Sequence, residues 1–468
     1  MKAIKCDLGS AYPKMAIGFC LDPANYIDHA DMPFSKYSEL VIADELSMGY
    51  AHWSKTEWGK YCVENNIIPI PVHYRQPIEE LKKIKEYKTC DFTGVDQLRG
   101  IYYFKQDTKA ILCKAFDAPM QWKQSLKTNL KNISESDPTR KIFEEEYDAS
   151  KRFANSGFGI SGNKYNRLFK IQVFNSITFL VRDLLLYLIP KLQAKGTQII
   201  FIDTDSFVIE AQDESIVRTL NGWVQDWAID KYGNDRIDIR FEYEGFFKSL
   251  YVGGKCRYMG YLVKPNGDIK EEIKGLEIKR KNATKFQKVE QKAFFKFLLD
   301  GHTFEEIINY ITTWIQRLYE APLTDIAMPR KLSKPRDKYK KKEEWFAALD
   351  NAKTRFGKFD KEVGEKFWYA YLTDGSVMAF DTRTINKISK TEIEYKLFIE
   401  KQIFNLLVPV FAGLNWGKEL CELGEKYGIL LESSHRNLLL EEYENYEDLK
   451  KYFSALSVKK RKALTTAK

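Results

Sequence analysis

Two acids stand at the tip of what reads as a tight β-hairpin. Ile199 to Ile202 is apolar, Asp203-Thr204-Asp205 follows, and Phe207 to Glu210 is again mostly apolar. Short apolar runs on either side of a polar link fit two buried strands joined at an exposed turn. The pattern fixes a two-stranded unit inside a sheet and puts carboxylates at one of its ends. In a strand, residues two apart share a face, so Asp203 and Asp205 are expected to converge while Thr204 points away. Two carboxylates that close repel each other without a cation, which favours a metal over a structural role. A lone D-x-D is nonetheless more often a surface turn, and the rest of the chain has to weigh in.

At 468 residues the chain is too long for one core and suits two to four subdomains. Residues 1 to 6 read as a strand leading into Asp7. Ser35 to Glu45 and Ile78 to Tyr87 have helical spacing, with strand-like Ile67 to Val72 and Ile101 to Phe104 between and beyond them. Helical spacing returns over Gln121 to Lys131 and Pro138 to Ala154. The glycine-containing segment 155–163 is expected to interrupt it before a long apolar helix from about Leu168 to Leu192. Phe241 to Tyr251 and Arg257 to Val263 read as strands, and Pro265-Asn266-Gly267 as a turn. Thr303 and Glu306 form a capping box opening a helix whose Ile307, Ile308, Ile311, Trp314, Ile315 and Leu318 face a core. A strand from Phe367 to Leu372 turns at Asp374-Gly375, and helices are expected over Glu392 to Phe411 and Glu441 to Phe453.

The net charge of +9 is mild for this length, so clustering says more than the total. Lys279-Arg280-Lys281, the run from Arg330 to Lys342 with eight Lys or Arg, and Lys459-Lys460-Arg461-Lys462 concentrate positive charge in the second half. Each run alone is as readily a solvated surface as a nucleic-acid contact. The seven cysteines form no C-x-x-C, which argues against a zinc or iron–sulfur site and fits a reducing compartment. No stretch approaches the roughly 20 apolar residues of a membrane span, and the chain starts without a signal-like apolar region. No membrane partner and a cytoplasmic location are therefore expected.

Asp7-Leu8-Gly9-Ser10-Ala11-Tyr12-Pro13, Lys151-Arg152-Phe153-Ala154-Asn155-Ser156-Gly157-Phe158-Gly159 and Asp203-Thr204-Asp205-Ser206 stand in this order along the chain. In that order they resemble the A, B and C motifs of family B (alpha-type) DNA polymerases. Gly254-Lys255-Cys256-Arg257-Tyr258-Met259-Gly260 is similar to the family's G-K-K-R-Y-x-G segment, and Lys274-Gly275-Leu276-Glu277 with Lys279 and Arg280 to its K-G-x-E-x-x-R. The resemblance implies an α+β right-hand polymerase fold with an antiparallel-sheet palm, helical fingers and a mainly helical thumb. The boundaries it suggests are residues 1–115 for the first part of the palm with an inserted subdomain, 116–165 for the fingers, 166–290 for the second part of the palm and 291–468 for the thumb. Because motif A begins six residues after Met1, no exonuclease domain is expected in this chain, as in the C-terminal part of a split phage-type polymerase.

What the resemblance implies for the site is specific. Asp7 and Asp205 would be the principal metal ligands, with Asp203 assisting and the Leu8 carbonyl completing the site. Two Mg²⁺ ions are the cofactors, with Mn²⁺ a candidate substitute. Tyr12 would floor the sugar pocket and exclude a 2′-hydroxyl. Lys151, Asn155 and Phe158 fall at i, i+4 and i+7, hence on one helical face, and would bind the dNTP, with Phe158 replacing the usual Tyr. Lys123 and Lys127, also i and i+4, look like further triphosphate ligands, with Arg140 and Lys141 as competitors. Lys255, Arg257, Tyr258, Lys274, Lys279 and Arg280 would grip DNA, with Cys256 standing in for the family's second Lys. Glu242 fits a further acidic position of the palm. Lys14, where a small residue is common, is expected to alter packing more than chemistry.

The function so implied is DNA-directed DNA polymerisation: extension of a primer 3′-hydroxyl with dNTPs by two-metal nucleotidyl transfer. Primer-template DNA and dNTPs are the expected partners, together with a separate N-terminal or exonuclease subunit and, as a candidate, a processivity clamp. The thumb-like segments around Asp337-Lys338-Tyr339, Phe367 to Tyr371 and Tyr395 favour the RNA-primed branch. The long segment between Pro13 and the fingers points toward protein priming, and the thumb is given more weight. A catalytically inactive DNA-binding or scaffold subunit is the alternative from another class; its simplest form would have lost Asp7 or Asp205, and both are present.

Overall fold

Strand β1 (Lys2–Leu8) buries Ile4, Cys6 and Leu8 on one face, which leaves Lys5 and Asp7 on the other. The structure is a computed structural model that describes residues 1–76, 95–108, 110–134, 137–253, 257–280, 282–339, 343–414 and 416–429. The chain divides into two units, Met1–Phe247 with Val263–Asp268 and Lys248–Leu262 with Ile269–Lys468. The stretches expected as 1–115 and 116–165 fall in the first unit, and 166–290 is shared between the two.

In the first unit, helix α1 (Ala11–Gly18) follows β1 directly. A small subdomain comes next. Its sheet has the order β2-β4-β3, from β2 (Tyr26–Ile27), β3 (Ile67–Gln76) and β4 (Val95–Lys105). Helices α2 (Glu39–Ser47), α3 (Tyr50–Trp53) and α4 (Glu57–Glu64) cover it around a core of Trp53, Trp58, Ile42 and Tyr103. The expected helix over Ile78 to Tyr87 lies outside the described residues.

Helices α5 (Ile111–Asn132) and α6 (Arg140–Gly162) then form a hairpin, closed where Arg140 donates to the Leu130 and Ile133 carbonyls. Helix α6 runs through the glycine segment that was expected to end it. The reason is packing: a Cβ on Gly157 would stand 2.6 Å from the Phe116 ring, so this glycine lets α6 approach α5 instead of breaking the helix.

Helix α7 (Ile171–Ala194) is the spine of the unit, with Val173, Ile177, Leu180, Leu184 and Leu188 fully buried. By length and composition it is long and apolar enough to cross a membrane, which corrects the expectation that no stretch approaches that size. Here it is a core helix. Its Asp183 accepts hydrogen bonds from Trp227 Nε1 at 2.8 Å, Lys231 Nζ at 2.7 Å and Tyr232 OH at 3.0 Å, all on or at the end of α8 (Ser215–Tyr232). A carboxylate taken out of water is costly unless its oxygens are hydrogen-bonded, and these three donors meet that need. The large antiparallel sheet has the order β5-β6-β1-β7 here, with β5 (Ile199–Asp203), β6 (Ser206–Ala211) and β7 (Phe241–Val252).

The second unit takes the later residues of β7, followed in hydrogen-bonding order by β8 (Tyr258–Val263) and β9 (Ile269–Lys274). Helix α9 (Lys285–Leu299) precedes α10 (Phe304–Glu320), whose N-terminus carries the expected Thr303–Glu306 capping box. The α10 stripe Ile307, Ile311, Trp314, Ile315 and Leu318 is buried as expected. A three-stranded sheet, β10 (Met328–Lys331), β11 (Lys366–Tyr371) and β12 (Val377–Phe380), packs with α11 (Glu344–Phe356). The helix expected over Glu392 to Phe411 starts later, at Tyr395, and carries a π-helical turn at Glu400–Phe404 before continuing over Asn405–Gly413. The expected helix over Glu441 to Phe453 lies outside the described residues.

Gly157→Ala should lower stability by up to about 2 kcal/mol, because an overpacking cost of roughly 1–3 kcal/mol against Phe116 outweighs the gain in helix propensity of about 1 kcal/mol. Thermal denaturation reads this, and an unchanged or raised Tm would show that α5 and α6 have room to separate.

Candidate active site

Strand β5 ends at Asp203 and β6 begins at Ser206, the two residues being paired, so Thr204 and Asp205 make a two-residue hairpin loop. Such loops take a positive φ at the first central position, and Thr204 has φ +65°. Asp205 therefore belongs to the loop and not to a strand, so the two-apart rule does not govern it. Asp203 is only 3% exposed. Its carboxylate accepts from the Thr204 hydroxyl at 3.2 Å, and its carbonyl accepts from the Asp205 N–H at 2.8 Å and the Ser206 hydroxyl at 3.1 Å. Asp203 thus braces the turn that presents Asp205.

The neighbouring strand supplies the other acid. β1 pairs with β6 in the register Asp7↔Ser206, and the Leu8 N–H donates to the Asp205 carbonyl at 3.0 Å. On the far side the Gly9 N–H donates to the Arg240 carbonyl at 3.0 Å. The chain then reverses into α1 through Ser10, left-handed at φ 58° and ψ 49°. Burial first, then the neighbouring Asp205 and Glu244 carboxylates, pushes Asp7 up to about 7, while Lys5 and Lys151 pull it down. Residues from the second and third sequence motifs thus act on the acid of the first.

The donors this arrangement offers are hard oxygens: the Asp7 and Asp205 carboxylates and the Leu8 carbonyl. That chemistry fits Mg²⁺, which is held by one or two protein carboxylates with the rest of its shell taken from water and substrate phosphates. Among the described residues no three or more His, Cys, Asp or Glu side chains gather as a ligand cluster.

Four lysines converge beside the acids. Lys123 Nζ donates to Ser10 Oγ at 2.6 Å, Lys127 Nζ to Glu242 Oε2 at 2.8 Å, and Lys14 Nζ to Asp238 Oδ2 at 3.4 Å. Burial lowers the Lys123 pKa, with Lys151, Lys127 and Lys14 adding to the shift and Glu242 opposing it. Burial would raise Glu242, but the bond from Lys127 and the charges of Lys123 and Lys14 outweigh it and leave the carboxyl below its usual range. Lys14 was expected to affect packing, and the structure makes it a member of this charge cluster. Of the competitors, Arg140 is engaged in closing the α5–α6 hairpin.

Tyr12, in the first turn of α1, stacks on Phe158 with ring centroids 4.4 Å apart and planes at 11°. Phe158 stacks in turn on Phe174 at 4.5 Å and 19°. The column ties α1, α6 and α7 together. Burial, then the charge of Asp205, raises the Tyr12 pKa. Asn155 lies on α6, one turn after Lys151.

The residues expected to grip DNA lie in the second unit, except that Lys255 is outside the described residues. Arg257 and Arg280 line a cavity of about 250 Å³ together with Lys401, Asn405 and Gln287. Lys274 and Lys279 are exposed at the end of β9 and in the following 3₁₀ turn. Tyr258 is buried and donates its hydroxyl to Glu272 at 2.7 Å, which joins β8 to β9.

Ser10 performs two tasks, a left-handed backbone and an acceptor for Lys123, and two variants separate them. Ser10→Gly and Ser10→Ala both lose the acceptor, but only Ala suffers in the left-handed region, so Ala should be the less stable by roughly 1 kcal/mol. Chemical denaturation measures the difference; equal stabilities would mean the turn relaxes.

Similarity to known proteins extends over most of the chain. A sequence model of DNA polymerase family B matches residues 62–414, which takes in Lys151–Gly159 and Asp203–Ser206 and begins after Asp7–Pro13. The chain is 20% identical to DNA polymerase 2 of Aeropyrum pernix over 71% of its own length and 40% of that protein's. It is 24% identical to the DNA polymerase alpha catalytic subunit of Xenopus laevis over 56% of its length and 19% of that protein's. The chain thus spans less than half the length of these relatives. Its fold is similar to that of the family B DNA polymerase of the hyperthermophilic archaeon Pyrobaculum calidifontis, with a TM-score of 0.51 at 17% identity, covering 87% of this chain and 44% of that one. With a match that runs over most of its length, this chain belongs to DNA polymerase family B.

Proposed function

We propose that this chain carries a DNA-directed DNA polymerase site that extends a primer 3′-hydroxyl with deoxynucleoside triphosphates. The observation that carries the reading is the convergence of Asp7 and Asp205, locked by the Leu8–Asp205 backbone bond, beside a cluster of four lysines. In the reaction the 3′-oxygen loses its proton and attacks the α-phosphorus, a P–O bond forms, the bond to the β-phosphate breaks, and pyrophosphate leaves. Two Mg²⁺ ions held by Asp7, Asp205 and the Leu8 carbonyl would supply activation of the 3′-hydroxyl and neutralisation of the triphosphate.

The chain's own residues supply the rest. A triphosphate carries about four negative charges, and cations already in place stabilise it without reorganising as charge moves. Lys151, Lys123 and Lys127 fill that role, with Lys14 strengthening the field. Ser10 and Glu242 hold two of these ammonium groups in position. Tyr12, fixed by its stack on Phe158, is the wall against a 2′-hydroxyl. Phe158, held between Tyr12 and Phe174, braces that wall, and Asn155 shares its helix. In the second unit Arg257, Lys274, Lys279 and Arg280 are suited to duplex phosphates, a contact that weakens with salt through counterion release. In this reading the β5-β6-β1-β7 sheet is the palm, the α5–α6 hairpin the fingers, and the helices from α9 onward the thumb.

Primer extension on a primed DNA template with Mg²⁺ and dNTPs tests the proposal. Asp205→Ala should lose activity by about 10³-fold or more. Duplex binding by both proteins with extension by neither would favour the inactive scaffold instead. Tyr12→Ala should reduce discrimination against ribonucleotides by roughly 10²-fold while keeping deoxynucleotide incorporation measurable. Unchanged discrimination in that variant would remove Tyr12 from the sugar pocket.

A further inference from the structure

Strand β7 carries a β-bulge directly beside the acids. Its register against β1 runs Asp7↔Glu242, Cys6↔Tyr243 and then Lys5↔Gly245, so Glu244 is an extra residue. Bulges re-aim side chains and are enriched next to active sites. This one is built in by Gly245, whose φ is +133° and where an added Cβ would stand 2.1 Å from the Val263 carbonyl oxygen. The bulge directs Glu244 onto Lys5, with Nζ 2.8 Å from Oε2.

Lys5 is two residues before Asp7 and on the same face of β1. It is only 8% exposed, an unusual burial for a lysine unless its charge is matched. Asp7 feels both members of the pair in opposite senses, Glu244 repelling its negative charge and Lys5 favouring it. The three carboxylates Asp7, Asp205 and Glu244 do not come together as a ligand cluster among the described residues. Glu244 is turned to an ammonium group on its own sheet.

We propose that Lys5 is a positioning residue of the metal site: a built-in counter-charge that engages Glu244, keeps this third carboxylate out of the ligand set, and sets how tightly Asp7 and Asp205 take divalent cations. The inference rests on the reading of Asp7 and Asp205 as metal ligands. A unit charge that acts on Asp7 also acts on a cation held by Asp7, and the more strongly the less it is screened by water; the Lys5 side chain is 11% exposed and that of Glu244 37%. Removing Lys5 leaves the site more negative and frees Glu244 to join it. Removing the Glu244 charge leaves an ammonium group beside Asp7 with its pair lost.

The test is a Mn²⁺ titration of the full chain, with free Mn²⁺ read by electron paramagnetic resonance and stability by thermal shift. Lys5→Met should bind Mn²⁺ more tightly than wild type, Glu244→Gln more weakly, each by about five- to tenfold, a size typical of a unit charge at such range. The double variant Lys5→Met/Glu244→Gln should return to within about twofold of wild type, since it restores the balance of charge. A merely structural ion pair would lower the metal-free Tm in both single variants and leave Mn²⁺ affinity unchanged; that result, or shifts of the same sign, overturns the inference. If Lys5→Met does not fold, Glu244→Gln decides: an affinity equal to wild type overturns the inference and a weaker one supports it. Asp205→Ala is the control. Loss of Mn²⁺ binding there with unresponsive Lys5 and Glu244 variants sinks this inference alone, whereas undiminished binding there sinks the metal-site reading and the inference with it.

Discussion

The pairing of β1 with β6, anchored where the Leu8 N–H donates to the Asp205 carbonyl, determines which side chains of the first strand meet the hairpin tip. Side chains in a strand alternate, so a slip of one residue would put Cys6 or Leu8 where Asp7 stands and turn Asp7 into the core. The buried face of β1 prevents this, because Ile4, Cys6 and Leu8 are committed to the apolar core of the first unit. The position of Asp7 is thus enforced by hydrophobic burial on the opposite face of its own strand. Asp203 does equivalent work on the other side, tying down the loop from which Asp205 projects.

Charge balance is the second constraint. Acids and ammonium groups are packed close together, and the architecture handles them in matched sets. Glu242 faces Lys127, Asp238 faces Lys14, and Glu244 faces Lys5. Ser10 takes Lys123 with a neutral oxygen, which leaves that positive charge unspent. In the proposed reading such partial compensation favours the arrival of a polyanion and its cations, since groups fixed by a partner need little rearrangement. The Tyr12–Phe158–Phe174 column provides the matching rigidity on the apolar side.

Much of this was legible in the residues. The hairpin with acids at its tip, the capping box at Thr303 and the buried stripe of α10 follow from local patterns of period two or about 3.6, whereas a shared site for Lys123, Lys127 and Lys151 beside Asp7 was implied only by the resemblance to the polymerase family. The glycines of α6 were misread as breakers, because sequence shows that Gly157 lacks a side chain but not that Phe116 fills the space. The length of α7 was legible, Leu168 to Leu192 against Ile171–Ala194, but its likeness to a membrane span was not, because Arg182 and Asp183 punctuate its apolar run. Lys14 was noted only for its packing, and Lys5 was passed over although a signal existed for it: two residues before an acid in a strand means the same face.

The sequence by itself determined the chemistry available: which carboxylates, which ammonium groups, which rings, and their order along the chain, since these depend only on residue identity and short-range periodicity. Tertiary structure alone decided which charges pair, because Lys5 with Glu244, Lys127 with Glu242 and Lys123 with Ser10 join residues more than a hundred positions apart. It also decided that Asp205 stands in a loop while Asp203 is buried beneath it. Strand register, a one-residue bulge and the closeness of packed helices set those outcomes, and each depends on what lies across the contact, which no local window of the chain contains.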